Sequence, residues 1–232
     1  MKNPLVSICI PCYEAGGLAT SLLNDLINSI NNQTYKNFEI VISDHSKNDD
    51  IEIFLKKFKH LNIKYIKNNV GYGNSSVNMN NCIKISNGEF IKIMHIDDFF
   101  HRNDTLEIMI DNINNDTIWG AFSFNHLIFD KIEQTMIPKL YFHPVSQVYS
   151  LMGCPSISFF RNNNDIFFDE NIIILNDFDL YYRLLNRFGD PLIINEVCIT
   201  IRKHNQQVTN ILENYKIKEN EEALYIKKKY NK

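Results

Sequence analysis

No stretch of this 232-residue sequence approaches the roughly 20 consecutive apolar residues that a membrane-spanning helix requires. The opening, MKNPLVSICIPCYE, holds a lone lysine and then a strand-length apolar run carrying Pro11, so it does not read as a secretory signal. GxGxxG is missing after the first apolar run and GxxxxGK[ST] is missing throughout, which removes the two common backbone cradles for phosphate. Cysteine is sparse and odd in number: Cys9, Cys12, Cys82, Cys154 and Cys198. Cys9 and Cys12 are spaced CxxC, but no second CxxC or His pair accompanies them, so the expectation is buried free thiols in a reducing cytoplasm rather than zinc. The 24 basic and 27 acidic residues leave a net charge of −3, which gives no general electrostatic reason to bind nucleic acid. With no repeat and no Gly/Ser linker, the chain reads as one large domain.

What is present is alternation. Apolar runs of strand length at Leu5–Ile10, Phe38–Ser43, Ile63–Lys67 and Glu89–Ile96 are separated by helix-period segments. These segments are the stripe Leu18, Leu22, Leu23, Leu26, Ile27 and Ile30, then IEIFLKKFKHL, then Ser75–Ile85. Strand–helix alternation with short connections predicts an α/β fold with a parallel sheet flanked by helices. After Asp98 the pattern loosens into a helix over Thr105–Ile113 and strand-like pieces at Ala121–Phe129 and Ile157–Phe160. A strong helix over Asp177–Phe188 follows, then two brief strands, PLIIN and CITIR, and a charged helical tail over Glu213–Tyr230. Trp119, Phe122 and Phe124 alternate as core positions do. Lys227, Lys228 and Lys229 read as a solvated helix end or as a weak contact for anionic lipid.

In an open parallel sheet, ligands sit beyond the carboxyl ends of the strands. Those ends carry Pro11, Tyr13 and Glu14; Ser43, Asp44 and Ser46; the Asn68–Asn74 loop NNVGYGN; and, after FIKIMHI, the adjacent carboxylates Asp97 and Asp98. Two carboxylates at the tip of a buried strand repel unless a cation lies between them. Their hard oxygens suit Mg²⁺ or Mn²⁺ bridging to phosphate. The alternative is that Asp98 or Asp104 caps the helix near Thr105. Asp177 falls in line with Tyr181, Leu184 and Phe188 on the inward stripe of its helix, where it either serves as a base toward a bound hydroxyl or, with Asn176 and Asp179, satisfies the helix dipole.

The segments VSICIPCYE, NFEIVISDHSKND, NNVGYGNSSVNMNNCIKISNGEFIKIMHIDD, GCPSISFFR, LNDFDLYYRLL and IRKHNQQVT stand in the order seen in family 2 glycosyltransferases, and the resemblance covers about residues 5–210. It implies the GT-A fold, a Rossmann-like, mostly parallel sheet whose residues 1–100 bind a nucleotide-sugar and whose irregular residues 101–210 face the acceptor, with 211–232 as a tail. It also implies a UDP- or dTDP-sugar donor, a divalent metal, inversion at the anomeric carbon, and a saccharide or lipid-linked acceptor in capsule or lipopolysaccharide synthesis. Such an enzyme works in the cytoplasm, in peripheral contact with the inner face of the plasma membrane.

Carried over by position, Pro11, Tyr13 and Glu14 line the nucleoside pocket, Asp44 reaches the base, and Gly71 and Asn78 lie near the donor. Asp97 and Asp98 form the DXD-type element, one toward the ribose and one on the metal, and Asp177 is the catalytic base. Arg202 and His204 belong to a segment that closes over the diphosphate, His204 as a further metal ligand. Two departures stand out: His95 where relatives carry another Asp, and Asn176 in place of the first acid of the usual pair. A non-catalytic nucleotide- or glycan-binding relative and a sugar-nucleotide pyrophosphorylase are the competing readings. The second of these lacks the basic, Gly-rich loop it would need after strand one.

Overall fold

The computed structural model describes residues 3–128, 131–139, 152–163, 165–207, 210 and 214–230. The first half is built on four parallel strands: β1 (Val6–Cys12), β2 (Phe38–Asp44), β3 (Ile63–Lys67) and β4 (Phe90–Ile93). β1 lies between β2 and β4, and every residue of it is buried, as its unbroken apolar run demands of a central strand covered on both faces. Helices α1 (Ala19–Asn31), α2 (Asp50–Leu55) and α3 (Ser75–Ile85) make the crossovers. The α1 stripe Leu22, Leu23, Leu26, Ile27 and Ile30 is buried, as its 3.6-residue period requires.

The second half adds β5 (Phe99–Phe100), α4 (Thr105–Asn112), β6 (Trp119–Ile128), β7 (Lys131–Met136), β8 (Ser158–Arg161), α5 (Asn176–Phe188), β9 (Leu192–Lys203) and α6 (Tyr215–Tyr230). Sheet order is β3-β2-β1-β4-β8-β6-β9-β5, with β7 on β6. The pairing turns mixed here: β8 runs antiparallel to β4 and β6, and β9 runs parallel to β6. Trp119, Phe122 and Phe124 are core residues.

Several boundaries differ from the sequence reading, and three of them bear on the site and the tail. The β4 ladder stops at Ile93, because after Met94 N–H donates to Cys9 O (2.8 Å) the chain leaves the sheet and His95 N–H goes to Ser156 Oγ (2.9 Å). PLIIN and CITIR are one strand, β9, since a bulge at Asn195–Glu196 absorbs the polar interruption while pairing with β6 jumps from Ile194 to Val197. The last helix begins at Tyr215, and Glu213 lies outside the described residues. The five cysteines are unpaired thiols, four of them buried. No helix among the described residues is long and apolar enough to cross a membrane.

Candidate active site

Strand order reverses direction between β1 and β4, which opens a crevice beyond their carboxyl ends. Pro11 fits this edge. Cys9, two residues earlier, faces β4 and makes the last bond across, so Pro11 points into the gap where no N–H is called for. On the β1–β2–β3 side, the polar rim is woven together. Asp44 is buried, accepting from Ser46 N–H (2.8 Å) and Tyr65 O–H (2.9 Å), with Lys67 Nζ at 3.3 Å. Asn78 donates to Cys12 O (3.0 Å) and accepts from Ser43 Oγ (2.6 Å), which ties α3 to the ends of β1 and β2. Glu14 accepts from Lys47 N–H (2.5 Å) and from the Tyr72 hydroxyl (3.3 Å). Gly71 sits at φ +66°, and a Cβ there would meet the Val77 methyls at 3.0 Å, so the turn into α3 requires glycine.

The acidic pair at the end of β4 divides into two different groups. Asp97 is partly exposed and its Oδ2 faces His204 Nε2 at 3.2 Å, with Gln207 Nε2 at 3.3 Å. Gln206 N–H lies 3.2 Å from His204 Nδ1, which orients the ring with Nε2 toward Asp97. Burial opposes ionisation of Asp97, but the His204 bond and the nearby His95 outweigh it and hold the carboxyl below its ordinary range. Asp98 is 2% exposed, with Oδ1 accepting from Arg202 N–H (3.2 Å) and Oδ2 from the Cys154 thiol (3.6 Å). Burial, then the charge of Asp97, push its carboxyl well above the usual range. Neither residue caps α4. Asp104 is at that position and pairs instead with Arg102.

The opposite wall comes from α5. Asp177, at its head, is half-buried and accepts from Phe178 N–H (2.7 Å), and burial pushes its carboxyl up to about 6. Tyr181, one turn on, is buried and donates to Cys154 O at 3.1 Å. The Cys154 thiol, pushed up by burial and then by the charges of Asp98, Asp97 and Asp177, marks the short span between the two walls. The fully buried carboxylate of the helix is Asp179, which pairs with Arg183 and Lys229 and so answers to α6 rather than to the crevice.

His204 reaches the acidic pair, while the Arg202 guanidinium binds Asp25 of α1 (2.8 Å) and lies over the Phe99 ring, so only its backbone reaches Asp98. The segment after β9 closes on the β1 loop: Tyr13 O–H donates to Gln206 O (3.2 Å), and a Cβ on Gly16 would collide with Gln206 Oε1. Sequence reasoning passed over Gln206 and Gln207, and took Gly153–Ser156 as part of the sugar pocket without giving Cys154 or Ser156 a role of its own. The last two lie in GCPS, whose position becomes informative only once β8 is known to pair with β4. Lys92, buried in β4, donates to the Ser156 and Ile93 carbonyls and fixes that loop from below. Its burial draws the amine down to about 7.

Two donor sets fit a divalent cation to different degrees. Cis ligands about 2.1 Å from an octahedral ion lie about 3 Å apart. Asp97 Oδ2 and His204 Nε2 already have that spacing and open to the crevice. His95, Asp98 and Cys154 also place ligand atoms within 4.8 Å of one another, but around a buried carboxyl already bonded to a backbone N–H and a thiol. The first set suits a hard ion carrying phosphate oxygens.

The family described as Glycosyl transferase family 2 matches residues 7–183. An uncharacterized glycosyltransferase of Rickettsia typhi is 29% identical over 230 residues, covering 90% of this chain and 67% of that protein. WfaP of Escherichia coli, a UDP-Glc:α-D-GlcNAc-diphosphoundecaprenol β-1,3-glucosyltransferase, is 36% identical over 97 residues, covering 41% of this chain and 36% of its own length. Among solved structures, S. aureus TarS 1–349 in complex with UDP-GlcNAc superposes with a TM-score of 0.71 at 19% identity, covering 96% of this chain and 66% of that one. The mannosyltransferase PcManGT from Pyrobaculum calidifontis, in complex with GDP-Man and Mn²⁺, gives 0.62 at 12% identity, covering 88% of this chain and 57% of its own. These likenesses establish the GT-A fold.

Proposed function

This chain belongs to glycosyl transferase family 2, and on that premise we propose that it moves a sugar from a UDP- or dTDP-sugar to a hydroxyl of a saccharide or lipid-linked glycan, with inversion, in the synthesis of a cell-surface polysaccharide. The carrying observation is the pair of facing walls. On one stands Asp97 with His204 at cis-ligand spacing, and on the other Asp177, a half-buried carboxyl with its proton affinity raised to about 6. The relatives support the substrate class: WfaP bears a UDP-Glc and lipid-diphosphate name, and TarS was solved with UDP-GlcNAc.

A metal held by Asp97 and His204, when bound, supplies Lewis-acid neutralisation of the departing diphosphate. Tyr13, Glu14 and Asp44 line the nucleoside side, Gly71 lets the loop approach the donor, and Asn78 ties the floor together. Asp177 takes the acceptor hydroxyl proton as that oxygen bonds to the anomeric carbon from the face opposite the phosphate. The carbon–oxygen bond to the diphosphate breaks, its electrons leave with the diphosphate, and the proton stays on Asp177. Proton affinity near 6 leaves Asp177 ionised at neutral pH yet basic enough to accept, which is the tuning a general base needs.

The test is a donor panel of UDP- and dTDP-sugars with Mn²⁺ or EDTA, run on the wild type and on Asp177→Asn. The expected result is nucleoside diphosphate release with Mn²⁺ only, and a variant that still binds UDP but transfers about 10²–10⁴-fold more slowly. Undiminished transfer by Asp177→Asn overturns the assigned base, and release of no diphosphate from any donor favours a binding module.

A further inference from the structure

We propose that Glu222, on the C-terminal helix α6, is a positioning residue for the catalytic base, so that α6 is a working part of the active site. The inference rests on the reading of Asp177 as that base.

Helix α5 starts without a side-chain cap of its own: Leu175 occupies the cap position, and Asp177 satisfies only Phe178 N–H. The N–H groups just before the helix converge instead on one carboxylate from outside. Glu222 Oε1 accepts from Ile173 N–H (2.8 Å), and Oε2 accepts from Ile174 N–H (2.8 Å) and Leu175 N–H (2.9 Å). Three successive N–H groups around one anion form a nest, and at a helix start they add to the favourable end of the helix dipole. Glu222 is 3% exposed, so this carboxylate has left water to serve those three donors, with Lys218 Nζ 3.9 Å away.

The carbonyls of the same loop are held from the other side. Ser76 Oγ donates to Ile172 O and Ser75 Oγ to Ile173 O (3.2 Å), while Asn176 Nδ2 spans Ser75 Oγ (3.0 Å) and Ile173 O (2.8 Å). Ser75 and Ser76 open helix α3, directly after the donor loop that ends in Asn74. The segment 172–176 is therefore clamped between the donor-side helix and α6, and Asp177 is its next residue. An amide at Asn176 fits this role, because it can donate to both groups.

The rest of α6 is bolted to the same place. Ile226 packs with Ile172, Leu175 and Phe178, and the Lys229 and Tyr230 side chains meet Asp179 at 2.7 and 2.6 Å. Loosening Glu222 frees the loop by the small distances that matter to a base, and a misplacement of about 1 Å costs on the order of 10²-fold in rate.

The experiment compares wild type, Glu222→Gln, Glu222→Ala, Asp177→Asn and the double variant Asp177→Asn/Glu222→Ala. Each is measured for Mn²⁺-dependent UDP binding, for kcat and KM with the donor that turns over in the panel above, and for amide hydrogen exchange at residues 173–175. Glu222→Ala is expected to lower kcat by on the order of 10²-fold, with UDP affinity and donor KM held within about twofold. Glu222→Gln, which keeps the side-chain volume and one oxygen acceptor but loses the charge and the second acceptor, should recover about tenfold of that loss. In the Asp177→Asn background, Glu222→Ala should add little, as expected for two residues acting as one unit. Unchanged kcat in both Glu222 variants, while Asp177→Asn is inactive, overturns the inference and leaves the base reading standing. An equal further loss in the Asp177→Asn background assigns Glu222 to stability alone and also overturns it. Full activity of Asp177→Asn removes the reading on which the inference rests.

Discussion

The two walls of the crevice are built on different terms. On the donor side, each site residue follows its own strand within a few positions, and β1, β2, β3 and β4 pair in parallel without a register shift. On the base side, the wall is assembled from residues 153–156, 172–177 and 222–230, and the nearby β6–β9 ladder shifts register twice. The donor wall is held mainly by backbone ladders. The base wall is held by side chains reaching backbone groups: Lys92 to Ser156, Tyr181 to Cys154, Ser75 and Glu222 to the loop before α5. Side-chain substitutions at the strand ends of the donor wall should remove a contact and little else, whereas on the base wall they should move the chain.

The largest effect tests the division within the acidic pair, since Asp97 faces the crevice and Asp98 faces the fold. Asp97→Ala removes the carboxylate beside His204 and should weaken Mn²⁺-dependent UDP binding by at least about 10²-fold while leaving the thermal midpoint nearly unchanged. Asp98→Asn keeps an oxygen for Arg202 N–H and should cost less than about tenfold in binding. Calorimetric titration of UDP with and without Mn²⁺ checks both. Equal losses would mean that the two carboxylates act together on the ion, and the distinction drawn from burial would fall.

Next in size is the pH dependence of transfer. A base with its folded value near 6 works only when deprotonated. The rate should therefore fall tenfold per pH unit below about 6 and level off above it. Asp177→Asn should leave a residual rate flat between pH 5 and 7. A wild-type profile flat down to pH 4.5 would mean that the carboxyl titrates at its ordinary value and is solvated.

Much of the donor wall was legible in the sequence because its chemistry is local. A buried strand ending in polar residues states its own position, so Tyr13, Glu14, Asp44 and the Asp97–Asp98 pair could be found by locating strand ends. What the pattern could not show was which carboxylate turns inward. Asp97 and Asp98 are adjacent, and their different fates depend on Arg202 N–H and His204, more than 100 residues away. The same holds for Asp177 and Asp179: helical counting put Asp177 on the inward stripe, yet the fully buried carboxylate is Asp179, because α6 brings Lys229 and Tyr230 to it. The tail read as a solvated end or a lipid contact because its lysines have no local partners. The partners of Lys229, Asp169 and Asp179, are 60 and 50 residues earlier.

A smaller effect tests whether the donor loop depends on its backbone shape. Gly71→Ala places a Cβ at φ +66° against Val77, with about 1–2 kcal/mol of conformational cost for a left-handed residue. The loop should relax away from the crevice, lowering UDP affinity several-fold with kcat at saturating donor unchanged. A loss in kcat alone would instead place the loop's role in the chemical step.

The smallest effect separates the docked end of α6 from its exposed lysines. Lys229→Met keeps the aliphatic stem but removes the ion pairs to Asp169 and Asp179, each at 2.7 Å. A stranded buried charge can cost 3–5 kcal/mol, but Asp179 keeps Arg183 at 2.8 Å and Tyr230 at 2.6 Å, so about 1 kcal/mol is expected. Lys228→Met, on the exposed face, should fall within about 0.5 kcal/mol of wild type. The pH dependence gives a second readout. Burial opposes ionisation of Asp169, but its bonds from Lys229 and Asn171 outweigh that and bring it down to about 2. A depressed carboxyl contributes stability above its unfolded value near 4 and loses it as the pH falls toward 2. Lys229→Met should therefore flatten the acid limb of stability between pH 4 and 2, where Lys228→Met leaves it as steep as in the wild type. Urea unfolding of the three proteins at pH 7 and pH 3 decides the matter, because identical curves would mean that the end of α6 is frayed in solution and that its ion pairs do not hold it to the base wall.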